Sequence, residues 1–270
     1  MRRFLMSIFR FYIEASIHVS IAIFALFQIF LLKNNLNAYL PLSAVVLFGS
    51  ITGYNFVKYA PLAKLHHRSL TAFLRGIQFF SFLSFLLLVF YGAQLPIQTL
   101  LVFALGGALI FLYAIPVVVS KNLRSFSGAK IYVVALCWVL TVVIAPTVHF
   151  GLKTDWKFVM HCLQIFVLVV ALIIPFDIRD LKYDTENLRT LPQVFGVKKA
   201  KIIAGILLVL FVIIEIAIQK KPESFWISGL VSFMTVSFIY NTKDTNPKYY
   251  CSFFIESIPI VYWMFVGLIA

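Results

Sequence analysis

Residues 156–184 read WKFVMHCLQIFVLVVALIIPFDIRDLKYD. Between Trp156 and Phe176 the only strongly polar residues are Lys157, His161 and Gln164. At about 1.5 Å per helical residue, a run of this length crosses a hydrocarbon core roughly 30 Å thick. It ends in Asp177, Asp180 and Asp184, where a membrane helix would meet water.

The pattern repeats along the chain. Apolar segments lie near Phe11–Leu32, Tyr39–Val57, Thr71–Tyr91, Pro96–Val119, Ile131–His149, Trp156–Phe176, Lys201–Ile218, Phe225–Tyr240 and Ser252–Ile269. This predicts an all-α fold of about nine transmembrane helices, with residues 1–270 as one membrane domain. Composition agrees, since 62% of the residues are hydrophobic and only 12% charged, more apolar surface than a water-soluble fold can hide. The basic start followed by an apolar run is like a signal peptide. Glu14 and His18 interrupt that run and no small-residue cleavage site follows, so it is expected to stay as the first helix. Four residues apart, Glu14 and His18 are expected to share one face and pair.

A net charge of +13 is compatible with a nucleic-acid partner, but its distribution favours a membrane topology. With the N-terminus inside, seventeen of the 23 lysines and arginines fall on inner segments. Only Lys33, Lys153, Lys157, Lys220 and Lys221 fall outside, and Arg75 lies within the third helix near its inner end. The expectation is a multi-pass inner-membrane protein, N-terminus cytoplasmic and C-terminus outside, with function on the cytoplasmic side and no nucleic-acid partner. Cys137, Cys162 and Cys251 match no zinc spacing and read as small apolar residues.

Asp177, Asp180 and Asp184 are spaced i, i+3, i+7, so a continuing helix would put three carboxylates on one face. Such charges repel unless a cation intervenes, and magnesium favours one or two carboxylates plus substrate phosphate oxygens. Spacing alone leaves two readings open: a metal-held diphosphate, or a solvated loop paired with Arg179, Lys182 and Arg189.

The run from Asp177 to Asp184, then Arg189-Thr-Leu-Pro192 and Gly196-Val-Lys-Lys-Ala200, resembles the second aspartate-rich motif of the UbiA intramembrane prenyltransferase family. Tyr113-Ala-Ile-Pro through Lys121 and Arg124 is similar to that family's Tyr/Pro/Lys segment. The resemblance implies a UbiA-like bundle with a cytoplasmic-facing cavity, a polyprenyl diphosphate, a hydrophobic quinone-precursor-type acceptor and membrane lipid as partners. It further implies Mg2+ held by Asp177, Asp180 and Asp184, with Asp180 and Asp184 catalytic. Asn55, Lys58, Arg68, Tyr113, Lys121 and Arg124 would contact the diphosphate, although positive-inside anchoring is the simpler account of each basic residue alone. The family's first motif steps Asn, Asp, Asp at four-residue intervals; here Asn55 is followed by Tyr59 and Ala63, and no acidic residue stands between Glu14 and Asp155. One magnesium site, not two, is therefore expected. The alternative is a catalytically altered relative that binds or moves an isoprenoid or anionic lipid. Acceptor, chain length and oligomeric state are not specified by the sequence.

Overall fold

A computed structural model describes residues 2–63, 71–114, 128–184, 188–219 and 221–269. Its helices are α1 (Arg2–Glu14), α2 (Ile17–Lys33), α3 (Leu40–Ala63), α4 (Ala72–Gly92), α5 (Ile97–Ala114) and α6 (Ala129–Val139). They continue with α7 (Ala145–His149), α8 (Trp156–Asp180), α9 (Leu191–Gln219), α10 (Pro222–Tyr240) and α11 (Ile258–Gly267). Among the described residues seven stretches are long and apolar enough to cross a membrane, and α1 with α2 makes an eighth if a bent pair counts as one span. The 19-residue α10 fills the remaining expected place. Two of its hydroxyls are satisfied locally, since Thr235 and Ser237 donate to carbonyls one turn earlier. Nine is thus an approximate count.

The centre is α2 and α8, which contribute Leu26, Phe27 and Leu31, and Leu168, Ile174 and Ile178, all fully buried. Helix α9 adds Leu208 and Phe211. Asp155 starts α8 by accepting hydrogen bonds from the backbone amides of Lys157 and Phe158, as an N-cap does. In contrast, only 11% of the α4 and α5 windows is buried, against 61% for α8.

Two of the prolines follow wider turns. A π-helical turn at Leu140–Ile144 precedes Pro146, and another at Tyr250–Ile255 precedes Pro259. Proline cannot donate to the preceding turn, and an extra residue in the ladder accommodates that gap.

The expected single first helix is broken. Ser16 adopts the left-handed conformation (φ 57) and α1 leaves α2 at 55°. Glu14 and His18 are therefore separated. Glu14 reaches Lys58 and Lys248, while His18 bonds to the Tyr12 hydroxyl (2.8 Å) and the Phe253 carbonyl. A left-handed L-residue costs about 1–2 kcal/mol, offset partly by glycine's larger unfolded-state freedom. Ser16→Gly is accordingly expected to stabilise the fold by about 0.5–1 kcal/mol; a loss of stability in detergent unfolding would contradict this.

Candidate functional site

The aspartates lie where α8 ends. The helix stops at Asp180, and one further turn follows, with the amides of Tyr183 and Asp184 both donating to the Asp180 carbonyl. Asp177 is buried at 1% exposure. Facing it is α6, which begins after Gly128, whose φ of 72 suits glycine and whose amide bonds to the Leu188 carbonyl. That tie anchors the segment after α8 to the first turn of α6, where Lys130 sits.

Lys130 Nζ lies 2.9 Å from Asp177 Oδ1 and 3.8 Å from Asp184 Oδ2. Asp180 faces another way: Arg179 holds it with a two-pronged contact, Nε to Oδ1 at 2.8 Å and a terminal nitrogen to Oδ2 at 2.9 Å. Arg179 also donates to Ser252 and lies over the Phe176 ring. So Asp177 and Asp184 meet on one ammonium, while Asp180 has its own guanidinium.

Beside them is a cavity of about 390 Å³ whose polar wall includes Lys58, Tyr113, Lys130, Arg179, Asp180 and Glu256. The π turn before α11 contributes Ser252 and delivers Glu256 to this wall. A second, largely apolar chamber of about 360 Å³ adjoins it, bounded by Phe85, Leu88, Phe103 and Phe111. The two share Gly53, Tyr54, Ile110, Cys137 and Trp138, and Trp138 Nε1 donates to the Tyr54 hydroxyl at 2.8 Å.

Of the residues singled out from sequence, Asp180, Lys58 and Tyr113 line the cavity, and Asp177 and Asp184 reach it through Lys130. Asn55 is buried elsewhere, donating to the Ala15 carbonyl and the Ser81 hydroxyl. Arg68, Lys121 and Arg124 lie outside the described residues. Tyr59, standing where the resemblance expects an aspartate, donates to the Glu14 carbonyl at 2.7 Å. Lys58 bonds to the same carbonyl and to the Glu14 carboxylate. The first-motif region thus fastens α1 to α3. On the segment between spans, the Glu14 hydrogen bond raises the Lys248 pKa above its ordinary value. From the sequence Glu256 reads as the partner of a loop lysine, whereas it lines the cavity, and Lys130 carries no mark of its role. Lys130 was counted with the inner positive charges, and nothing local in the sequence marks it as the partner of residues some fifty positions later.

Among the described residues, no group of three or more His, Cys, Asp or Glu is arranged to hold a metal ion. One observation favours a single ion completed by a ligand's oxygens: Asp184 Oδ2 is buried with no hydrogen-bond partner. Asp184 Oδ2 would be one ligand of such an ion, and Asp180, whose two oxygens are held by Arg179, would have to leave that guanidinium to be a second.

The family's sequence pattern, described as the UbiA prenyltransferase family, matches residues 66–266. The chain belongs to the UbiA prenyltransferase family. No curated protein matches it significantly by sequence. Solved UbiA structures match throughout. A homolog from Archaeoglobus fulgidus bound to GPP and Mg2+ is 14% identical, with 96% of this chain and 95% of that one covered at a TM-score of 0.56. The apo homolog from Aeropyrum pernix K1 is 12% identical, covering 93% and 97% at a TM-score of 0.63. A digeranylgeranylglyceryl phosphate synthase is 16% identical, covering 99% and 97% at a TM-score of 0.57. At these identities the likeness establishes the UbiA fold.

Proposed function

We propose that this UbiA protein is an intramembrane prenyltransferase that moves a polyprenyl group from its diphosphate to a hydrophobic, quinone-precursor-type acceptor. The observation that carries this reading is the polarity gradient between the two chambers. A charged mouth with Lys58, Lys130, Arg179 and Asp180 leads past Tyr54 and Trp138 into an apolar chamber, as a diphosphate with an isoprenoid tail requires. The GPP and Mg2+ bound by the A. fulgidus homolog supply the ligand class.

In this reading the diphosphate sits at the mouth and the tail passes the Gly53–Trp138 junction. The allylic carbon–oxygen bond breaks and the diphosphate departs with the electron pair. Lys58 and Arg179 stabilise the charge that develops there. Trp138 and Tyr54, which line both chambers, supply aromatic rings that stabilise the carbocation and help exclude water. The acceptor then forms the new bond and loses a proton. A magnesium ion held by Asp180 and Asp184 would supply further neutralisation of the leaving group. The mouth faces the cytoplasm in this scheme, as the distribution of basic residues predicts.

A second reading keeps the binding and drops the chemistry. Its support is Tyr59 on the Glu14 carbonyl and three aspartates already paired within the chain.

Calorimetric titration of geranyl diphosphate into detergent-purified protein, with magnesium and then with EDTA, tests the reading. Saturable binding supports it, and diphosphate release on adding acceptors separates enzyme from binder. No binding in either condition would sink both. The junction gives a specificity test. A Cβ on Gly53 would lie 2.9 Å from Ile110 Cδ1, so a larger side chain must intrude on the passage. Gly53→Leu is expected to lower affinity for geranylgeranyl diphosphate by about tenfold more than for dimethylallyl diphosphate, a few methylenes' worth of burial. Equal losses for both would place the tail elsewhere.

A further inference from the structure

We propose that Lys130 is an exchangeable counterion of the aspartate cluster. It holds Asp177 and Asp184 while the mouth is empty, and yields Asp184 and turns to the phosphate oxygens when a diphosphate arrives with its metal. The inference rests on the prenyl diphosphate reading and adds an order to it, with no metal before the anion.

Electrostatics points this way. Around the mouth the described cations are Lys58, Lys130, Arg179 and Lys248, and they face the carboxylates of Glu14, Asp177, Asp180, Asp184 and Glu256. Among the described residues these cations are already taken up, Lys58 and Lys248 by Glu14, Lys130 by Asp177 and Arg179 by Asp180. Binding a diphosphate requires added cation, freed cation, or both. Asp177 and Asp180 are in turn closed to a bare metal ion, because Lys130 and Arg179 hold them, and at Asp184 the nearby Lys130 charge opposes one.

Lys130 is the partner built to leave. Its contact to Asp177 is short at 2.9 Å, but that to Asp184 is long at 3.8 Å, and Asp184 Oδ2 is buried with no hydrogen bond. That oxygen is the vacant acceptor a metal would take. The Lys130 side chain keeps 19% exposure, lines the cavity, and swings a point charge on a four-carbon stem. Arg179, by contrast, is fixed by two contacts to Asp180, by Ser252 and by the Phe176 face.

Manganese is the probe, since its paramagnetic signal falls when it binds. Mn2+ alone, then Mn2+ with geranyl diphosphate, is titrated into wild type, Lys130→Met and Lys130→Arg. Wild type is expected to leave the ion free when it is alone and to take up one per chain with the diphosphate. Lys130→Met is expected to bind the ion alone about tenfold or more tightly than wild type, and to lose a similar factor for the diphosphate, a normal size for coupled sites. Lys130→Arg is expected to behave as wild type with the ion alone. If Lys130→Met fails to fold, Lys130→Met with Asp177→Asn removes the whole buried pair and reads the same quantity at Asp184. Equal Mn2+ uptake by wild type and the lysine variant would overturn the proposal, as would tight uptake by wild type without diphosphate. Absence of geranyl diphosphate binding in every arm sinks the prenyl diphosphate reading instead, and the comparison with Mn2+ alone still decides the exchange.

Discussion

Asp180→Asn combined with Asp184→Asn is expected to weaken magnesium-dependent binding of geranyl diphosphate by about a hundredfold or more. Each charged contact is worth about 1.5–3 kcal/mol, so losing two gives about 3–6 kcal/mol at the ion and its ligand. The fold should survive. The Asp180 side chain is 28% exposed, Asp184 follows the end of α8, and the buried Asp177–Lys130 pair is untouched. Arg179 keeps Ser252 and the Phe176 ring. Titration calorimetry beside a thermal unfolding scan separates the cases. Lost binding with an unchanged unfolding profile supports the metal-and-diphosphate reading. Unchanged binding would move the diphosphate away from α8.

The second large effect lies at the opposite end of the bundle and concerns stability. Glu215 of α9 is fully buried, accepting from Lys33 at 2.7 Å and from Gln164 at 2.6 Å, while Lys33 also donates to the Tyr262 hydroxyl. The cluster joins α2, α8, α9 and α11. Lys33→Met leaves a buried carboxylate without its cation, and breaking a buried pair in this way costs about 3–5 kcal/mol. Removing both charges with Lys33→Met and Glu215→Leu should restore most of the stability, because isolated charge rather than lost attraction is the penalty. Unfolding by SDS from a mild detergent, followed by helical ellipticity, provides the measurement. A single variant within about 1 kcal/mol of wild type would mean that water reaches Glu215.

These two clusters mark how far the sequence could be read. Spans came through because hydrocarbon thickness imposes one length on every crossing helix, so Trp156–Phe176 needed no tertiary knowledge. The UbiA assignment was legible in the Asp177–Ala200 run for a similar reason, since its signal is local. What escaped was pairing at a distance. Lys33 looked like an outer-loop charge and is a buried partner of Glu215; Lys130 looked like an anchor and sits between two aspartates. Glu14 and His18 looked like one helical face until Ser16 turned the chain. Even spacing misled at the aspartates: positions 177 and 184 do converge, but 180 turns to its sequence neighbour Arg179. Each miss depends on side-chain partners or backbone breaks that no local pattern encodes.

The sparse packing of α4 and α5 has a consequence for measuring molecules. Ile77, Ser84 and Gly92 are the buried residues of α4, and Thr99, Tyr113 and Ala114 those of α5. Both helices supply walls of the apolar chamber, through Phe85 and Leu88 and through Val102, Phe103 and Phe111. A partition one helix thick, with fatty acyl chains on its far side, makes a poor ruler. It has no rigid back stop against which an isoprenoid could be counted, and moving either helix outward exposes mostly surface that is already greasy. Chain length would then be selected at the narrow Gly53–Trp138 throat and by the surrounding bilayer, and the same protein could rank its isoprenoids differently in membranes of different fluidity.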